Sequence, residues 1–429
     1  MRDKNLVSWS DRDGLVNWHP YTQHKIAQLP IAIVKADNAL LWDENGKEYI
    51  DAIASWWANP YGHCNKTIAQ AITQQMQTLE HVLFGGFTHP TAVQLSEKLL
   101  GLLPNNQKRV FFSDNGSTAV EVALKAALQY FYNKGKKKYR VIAFEDAFHG
   151  DTFGAMATSG ISIFTEAFKG QLLDVIRVDL PTQSNIENLK SIFLEEFAKD
   201  DVAAFIFEPL VQGAAGMRMY EAKLLDELIA ICKQHQVFCI ADEVMTGFGR
   251  TGTNFASLQL KYAPDMICLS KALTAGFVPM AMTTFSEEIY QGFISESVDA
   301  AFFHGHTFTA NPIGCAAALA GIGLLESEEM QRNRQRIHEH HLSFKSKIQQ
   351  HTKCENVRVL GCIFALDITV AEKQAYYGEL RNTLYAFFIE NGVLLRPVAN
   401  TIYILPPYTI TEQQLSKVYQ TVEKALEIA

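Results

Sequence analysis

The chain lacks most of the features that would take it out of the ordinary globular class. Its longest run of small apolar residues, "GCAAALAGIGLL" from Gly314, falls short of the roughly 20 residues a membrane-spanning helix needs, and it suits a buried helix instead. The opening "MRDKNLVSWSDRDG" has no apolar segment of the secretory kind, so a cytoplasmic location is expected. A basic excess is also missing. The formal net charge of -8 argues against broad binding to nucleic acid or an anionic membrane, either of which needs a concentrated basic face. The basic cluster Lys134, Lys136, Lys137 and Lys138 follows a helical pattern and is expected to cap that helix in solvent. The seven cysteines are odd in number, show no C-x-x-C spacing and fall partly in apolar stretches such as "VFCIAD". They read as reduced core residues, not as a disulfide frame or a zinc site. No G-x-x-x-x-G-K-[ST] run occurs, which removes support for P-loop nucleotide binding.

What is present is a well-stocked core. With 48% hydrophobic and 20% charged residues over 429 positions, disorder is excluded and two or three domain-sized units are expected. After residue 60, short apolar runs alternate with longer segments of helical period. The predicted strands are "RVFF" at 109–112, "RVIAF" at 140–144, "VAAFIF" at 202–207, "VFCIA" at 237–241 and "MICL" at 266–269. Val120, Leu124, Ala127, Leu128 and Phe131 mark one intervening helix. Strands this continuously apolar suit a parallel sheet covered on both faces, an α/β fold. From about residue 326 the pattern changes to a charged helix carrying Ile337, Phe344 and Ile348 on one side, then to the strands "VRVLGCIFALDI", "GVLLRP" and "TIYILPP". The C-terminal segment 326–429 is therefore read as a smaller α+β domain, the middle segment 61–325 as the large domain, and residues 1–60 as joining the small one. A hairpin is expected in "ALLWDENGKEYID", with its turn at Asn45 and Gly46.

In a doubly wound sheet, ligands bind beyond the carboxyl ends of the strands. Here those ends run into "SDNGS", "EDAFHGD", "EP", "DE" and "SK", so one crevice would collect Gly116, Ser117, His149, Asp151, Glu208, Asp242 and Lys271. Taken alone, Lys271 is an ordinary solvated lysine at a helix start. The stretch "SDNGSTAVEVALKAAL" places a glycine turn at a helix start, with Thr118 and Glu121 spaced as a capping box. Such a start offers free N–H groups to a phosphate, although a plain capped helix looks the same. Asp242, directly after an apolar strand, needs a cation or a donor: a metal, an arginine or a protonated ring nitrogen. A lysine, an aspartate and a phosphate cradle in one crevice match what pyridoxal phosphate requires. The histidines of "HGH" at 304–306 and "HEHH" at 338–341 offer a competing metal site, but no third ligand type accompanies them, and His338 and His341 are expected in solvent on a charged helix.

"FCIADEVMTGFGRTG" followed by "PDMICLSKAL" resembles the signature of the class III aminotransferases, fold type I enzymes that use pyridoxal 5'-phosphate. The likeness runs over essentially the whole chain. Within the family it is greatest to the branch that converts 8-amino-7-oxononanoate to 7,8-diaminononanoate in biotin synthesis. The stretches that carry it are "WHPYTQ" at 18–23, "SWWANPYGH" at 55–63, "HVLFGGFTHP" at 81–90, "VQGAAGMRMY" at 211–220, "HTFTANP" at 306–312 and "LLRPVANTIYILPPY" at 394–408.

The resemblance implies that Lys271 is the catalytic lysine that bonds the cofactor and that Asp242 faces its ring nitrogen. Gly116 and Ser117 would hold the phosphate, and Phe148 would stack on the ring. It also implies a homodimer, with Thr307 entering the phosphate site of the second copy. Tyr21, Trp56, Gly305, Arg396 and Tyr403 would contact substrate, Arg396 by binding the carboxylate of the keto acid through its planar fork. One tryptophan of the pair Trp56 and Trp57 can equally be core. Two positions depart from the family pattern: Phe148 stands where many members have tyrosine, and His306 where some have proline. The amino donor stays open between S-adenosylmethionine and lysine. Other class III transaminases acting on ω-amino acids or diamines, and a decarboxylase or aminomutase on the same fold, are the alternatives.

Overall fold

The computed structural model describes residues 8–370, 376 and 378–428. At its centre lies a seven-stranded sheet whose strands run, in spatial order, 107–113, 281–286, 266–269, 238–242, 202–207, 140–144 and 175–178. Neighbours pair in parallel from 266–269 outward to 175–178. The strand Ala281–Ser286 runs antiparallel to both of its neighbours. All five predicted strands are present, within one or two residues.

The continuous apolar runs have the cause expected of them. Along Val202–Phe207 every residue is buried, yet alternate side chains serve different cores. Ala204 and Ile206 pack with the helix Gly116–Asn133 on one face. Phe205 and Phe207 pack on the other face, where Leu189 and Phe193 of helix Ile186–Phe197 and Leu228 of helix Ala222–Gln234 lie. This period of two feeds two cores from one strand. Each fully buried Phe or Ile stabilises by about 1.5–3 kcal/mol.

The two ends of the chain meet. Strands Ile33–Asp37, Leu40–Asp43 and Glu48–Asp51 form an antiparallel meander whose last turn places Gly46 at φ +82°. Val393–Leu394 adds to it in parallel, beside Glu48–Asp51. Strands Cys354–Leu360, Ile363–Ile368 and Thr401–Ile404 form a separate antiparallel sheet. The helix Glu328–Ile348 covers it with Met330, Ile337, Phe344 and Ile348, and the helix Glu412–Ile428 buries Leu415, Val418, Val422 and Leu426. Among the described residues no helix is long and apolar enough to cross a membrane.

Four expectations need correction. His341 is fully buried and not in solvent: its Nε2 donates to the Cys362 carbonyl at 3.1 Å, and its Nδ1 accepts from the Tyr419 hydroxyl at 2.7 Å. Burial lowers its pKa to about 3, so the imidazole is neutral. Lys138 is also buried, with Nζ 3.2 Å from Asp200 Oδ1, and only Lys134, Lys136 and Lys137 stay exposed. The third concerns Cys64, which is exposed and belongs to no core. The last is the cap of the helix Gly116–Asn133. Asn115 caps it, exchanging hydrogen bonds with Thr118, while Glu121 instead accepts from the backbone of Gly154 and Ala155. An asparagine one residue before the glycine turn was the better cap signal.

Candidate active site

The carboxyl ends of the parallel strands open into a cavity of about 540 Å³, and all seven residues expected to converge, Gly116, Ser117, His149, Asp151, Glu208, Asp242 and Lys271, line it. Asp242 ends its strand and is buried. Its Oδ2 accepts from His149 Nδ1 at 2.8 Å, and its Oδ1 accepts from the Val244 amide at 3.0 Å. His149 is itself buried, and its Nε2 has no partner among the described residues. Glu208 follows the strand Val202–Phe207 and accepts from the amides of Phe148 at 3.1 Å and Gly213 at 2.9 Å. Burial nevertheless raises its pKa to about 7, with Asp242 adding to the rise and His149 opposing it.

Lys271 sits two residues beyond the strand Met266–Leu269 with φ +46°, a left-handed conformation unusual for a non-glycine residue. Its amine lies 4.7 Å from the centroid of the Trp57 ring. Burial lowers its pKa, against the pull of Asp242 and Glu208. An amine in these surroundings is a better nucleophile and base near neutrality than a surface lysine.

Beside the lysine, the helix Gly116–Asn133 presents its first turn to the cavity. The N–H groups there have no carbonyl one turn earlier to bond and carry the positive end of the helix dipole. The backbone packs closely against side chains at this point. A Cβ on Gly116 would lie 2.8 Å from Val244 Cγ1, and one on Gly150, at φ +129°, would lie 1.8 Å from Ser117 Oγ. Ser117 Oγ accepts from the Asp151 amide at 2.8 Å.

The outer wall comes from distant sequence. Tyr21, Trp56, Arg396 and Tyr403 all line the cavity, as does Phe148. The Tyr21 hydroxyl bonds Asp151, and its ring packs edge-on against Trp56 with centroids 5.7 Å apart. The Arg396 guanidinium lies 4.8 Å from the Trp56 centroid. Trp56 is 42% exposed and Trp57 5%, so one of the pair is open and the other mostly packed, although both line the cavity. Trp57 still floors the cavity under Lys271, a contact that sequence reasoning did not assign. Phe164, Tyr376 and Arg381 also line the wall unannounced, and no spacing in the sequence singles them out.

Gly305 and Thr307 are not among the lining residues and lie exposed on the segment 301–311. The neighbouring histidines form a directed series of hydrogen bonds. Lys125 Nζ meets His304 Nδ1 at 2.9 Å, His304 Nε2 meets His306 Nε2 at 3.0 Å, and His306 Nδ1 meets Asp114 Oδ2 at 3.2 Å. All four ring nitrogens of His304 and His306 are thus engaged in polar contacts. Among the described residues no group of three or more His, Cys, Asp or Glu side chains could hold a metal ion.

The family model of the class-III aminotransferases matches residues 21–426. The chain belongs to this family. Over 96% of its length the aminotransferase is 43% identical to the adenosylmethionine-8-amino-7-oxononanoate aminotransferase of Synechococcus elongatus, covering 98% of that protein. The crystal structure of the enzyme of the same name from Methanocaldococcus jannaschii superposes with a TM-score of 0.94 at 31% identity, each chain covered in full at 100%. An amine transaminase from an uncultivated Pseudomonas species, solved in its PLP-bound form, gives a TM-score of 0.88 at 28% identity, covering 96% of this chain and 98% of that one. The fold is that of the fold type I transaminases, a large mostly parallel sheet with a smaller α+β part built from both chain ends.

Proposed function

We propose that this aminotransferase binds pyridoxal 5'-phosphate and transfers an amino group from S-adenosylmethionine to 8-amino-7-oxononanoate, giving 7,8-diaminononanoate for biotin synthesis. The observation that carries the reading is the shared cavity: a half-buried lysine, a buried aspartate and a glycine-crowded helix start face the same space.

The residues fit the cofactor. Gly116 and Ser117, with unpaired first-turn N–H groups, would hold its phosphate. Asp242, kept in place by His149 and the Val244 amide, would face the ring nitrogen. Phe148 would pack on the ring. When bound, pyridoxal phosphate supplies an aldehyde for amines and a ring that takes up electrons from the donor carbon. The chain's own part is proton handling and orientation. Lys271 Nζ, its pKa lowered by burial, takes a proton from the donor carbon and returns one on the acceptor side. Asp242 stabilises positive charge across from it, and the Trp57 ring beneath the amine keeps water from that face. On the wall, Arg396 forks onto the acceptor carboxylate while Tyr21, Trp56 and Tyr403 shape the space for its chain.

The reading includes a homodimer. The segment bearing Gly305 and Thr307 leaves Phe303 69% and Phe308 59% exposed, and nearby Leu83 and Phe87 are likewise uncovered at 55% and 61%. His81 packs on Phe308 at 5.1 Å, so these side chains belong to one surface, and a second copy would cover it. Thr307 would then reach the phosphate of the other subunit. Mixing Lys271→Ala with Thr307→Val chains tests this: mixed dimers regain one intact site, and activity above that of either parent is expected.

The function itself is tested by supplying purified holoenzyme with 8-amino-7-oxononanoate and either S-adenosylmethionine or lysine, with mass detection of 7,8-diaminononanoate. Product with S-adenosylmethionine is expected. Product with lysine alone would overturn the donor and keep the acceptor, and no product with either would overturn the whole reading.

A further inference from the structure

Ala54, Ser55, Trp56 and Trp57 have φ values of +47°, +45°, +67° and +74°. Four consecutive non-glycine residues thus occupy the left-handed region, where the Cβ crowds the following carbonyl. Such a turn persists only if its surroundings over-determine it.

A buried carboxylate stands at its foot. Asp51 is 0% exposed; its Oδ2 accepts from Ser55 Oγ at 2.8 Å and from His63 Nε2 at 2.8 Å, and its Oδ1 accepts from the Ile53 amide at 3.2 Å. His63 is oriented in turn: Asn59 Nδ2 lies 3.0 Å from its Nδ1, which leaves Nε2 as the protonated nitrogen aimed at Asp51. At the far end Arg250, fully buried, donates to the Trp57 carbonyl at 3.2 Å. The consequence is geometric. The left-handed turn sends neighbouring indoles to different places, Trp57 beneath Lys271 and Trp56 out against Tyr21 and Arg396.

We propose that Asp51, acting through Ser55 and His63, is a positioning residue for the acceptor pocket: it sets the Trp56 indole against Arg396 and so governs how tightly a carboxylate-bearing substrate is held. This rests on the transaminase reading above and deepens it. Asp51 touches no substrate and acts through another side chain.

The test is a double-mutant cycle. Asp51→Asn preserves shape and removes the charge that three donors share. A rise in KM for 8-amino-7-oxononanoate of about tenfold is expected, as for loss of a hydrogen bond to a charged group, with kcat within about twofold. In a Trp56→Phe background the same change should add less than about twofold, because its route through the indole is gone. Near-ultraviolet circular dichroism supplies a readout that needs no substrate: Asp51→Asn should perturb the tryptophan bands as Trp56→Phe does, with the far-ultraviolet spectrum unchanged. Effects that multiply in the cycle, or an unchanged KM in a folded protein, would overturn the proposal. If Asp51→Asn does not fold, Ser55→Ala removes one of the two side-chain donors from a more exposed position and enters the same cycle. A wild-type protein that aminates no keto acid would sink the transaminase reading, while the dichroism comparison would still decide the positioning role.

Discussion

On the floor of the cavity, Asp242 ends a buried strand, Glu208 follows one directly and Lys271 lies two residues beyond another. On the wall, Tyr21 and Trp56 come from the first 60 residues and Arg396 and Tyr403 from the last 40; Tyr21 and Arg396 meet at the Trp56 ring, 5.7 and 4.8 Å from its centroid, and Tyr403 packs on Trp57 at 6.1 Å. The floor is held by sheet pairing and by short hydrogen bonds between buried groups. The wall is held by the packing of large side chains, some of them open to solvent. Burial moves the pKa values of Glu208 and Lys271 on the floor, which is what proton transfer uses; wall residues offer shape and the Arg396 fork. The division suggests separate duties, chemistry below and substrate choice above, and separate kinetic signatures follow.

The sharpest break is Lys271→Ala. Transamination of 8-amino-7-oxononanoate should fall by about 10³-fold or more in single-turnover measurements, the scale of a lost general base. A loss below tenfold would mean that the floor does not carry the proton. Next comes Glu208. Its folded pKa of about 7 lies above the 4.5 of an ordinary glutamate, so the folded protein holds the extra proton between those values and loses stability as pH rises through them. From pH 4.5 to 8 that loss amounts to about 3 kcal/mol. Denaturant unfolding of the cofactor-free protein should show the difference between Glu208→Gln and wild type shifting in favour of the variant across this window, and a flat difference would contradict the assignment. On the wall, Arg396→Lys keeps the charge and removes the fork; kcat/KM for the keto acid should drop by about 2 kcal/mol, chiefly through KM. A kcat effect of equal size would erase the boundary between floor and wall. Smallest is Phe148→Tyr, at the junction of the two. It should alter keto-acid turnover by under about 1 kcal/mol, and steady-state competition between S-adenosylmethionine and lysine would reveal any change in donor preference.

The same division explains what could be read from the sequence. Floor residues stand beside unbroken apolar runs, so Lys271, Asp242 and Glu208 could be placed in one crevice by pattern alone. Wall residues have no such neighbours. Tyr21, Trp56, Arg396 and Tyr403 were reached only through family resemblance, and Phe164 and Arg381 were not reached at all. Two strands of the central sheet also escaped notice. Ala281–Ser286 reads as half polar, yet its buried Thr283 and Thr284 hydroxyls donate to the Ala119 carbonyl and to Gln107 Oε1 at 2.8 and 2.7 Å. Val175–Val178 is a short edge strand interrupted by Arg177, whose guanidinium donates to the carbonyls of Ala157, Thr158 and Ser159. His341 misled for the opposite reason: a charged helix hid one inward imidazole. In each case the sequence pattern scores polarity, whereas burial depends on whether the polar atoms find partners.

The antiparallel strand 281–286 also sets an order of events during synthesis. The strand Gln107–Ser113, which leads into Gly116, has Ala281–Ser286 as its sheet neighbour. A nascent chain that has emerged only as far as residue 280 therefore carries the first turn of the Gly116 helix on a strand with no sheet to join. Closing a loop of that length is slow but entropically tolerable. On the ribosome, the Gly116 end of the cavity takes shape after the middle of the sheet can already have formed, so the end proposed to hold the phosphate is completed late, once roughly two-thirds of the chain has been made.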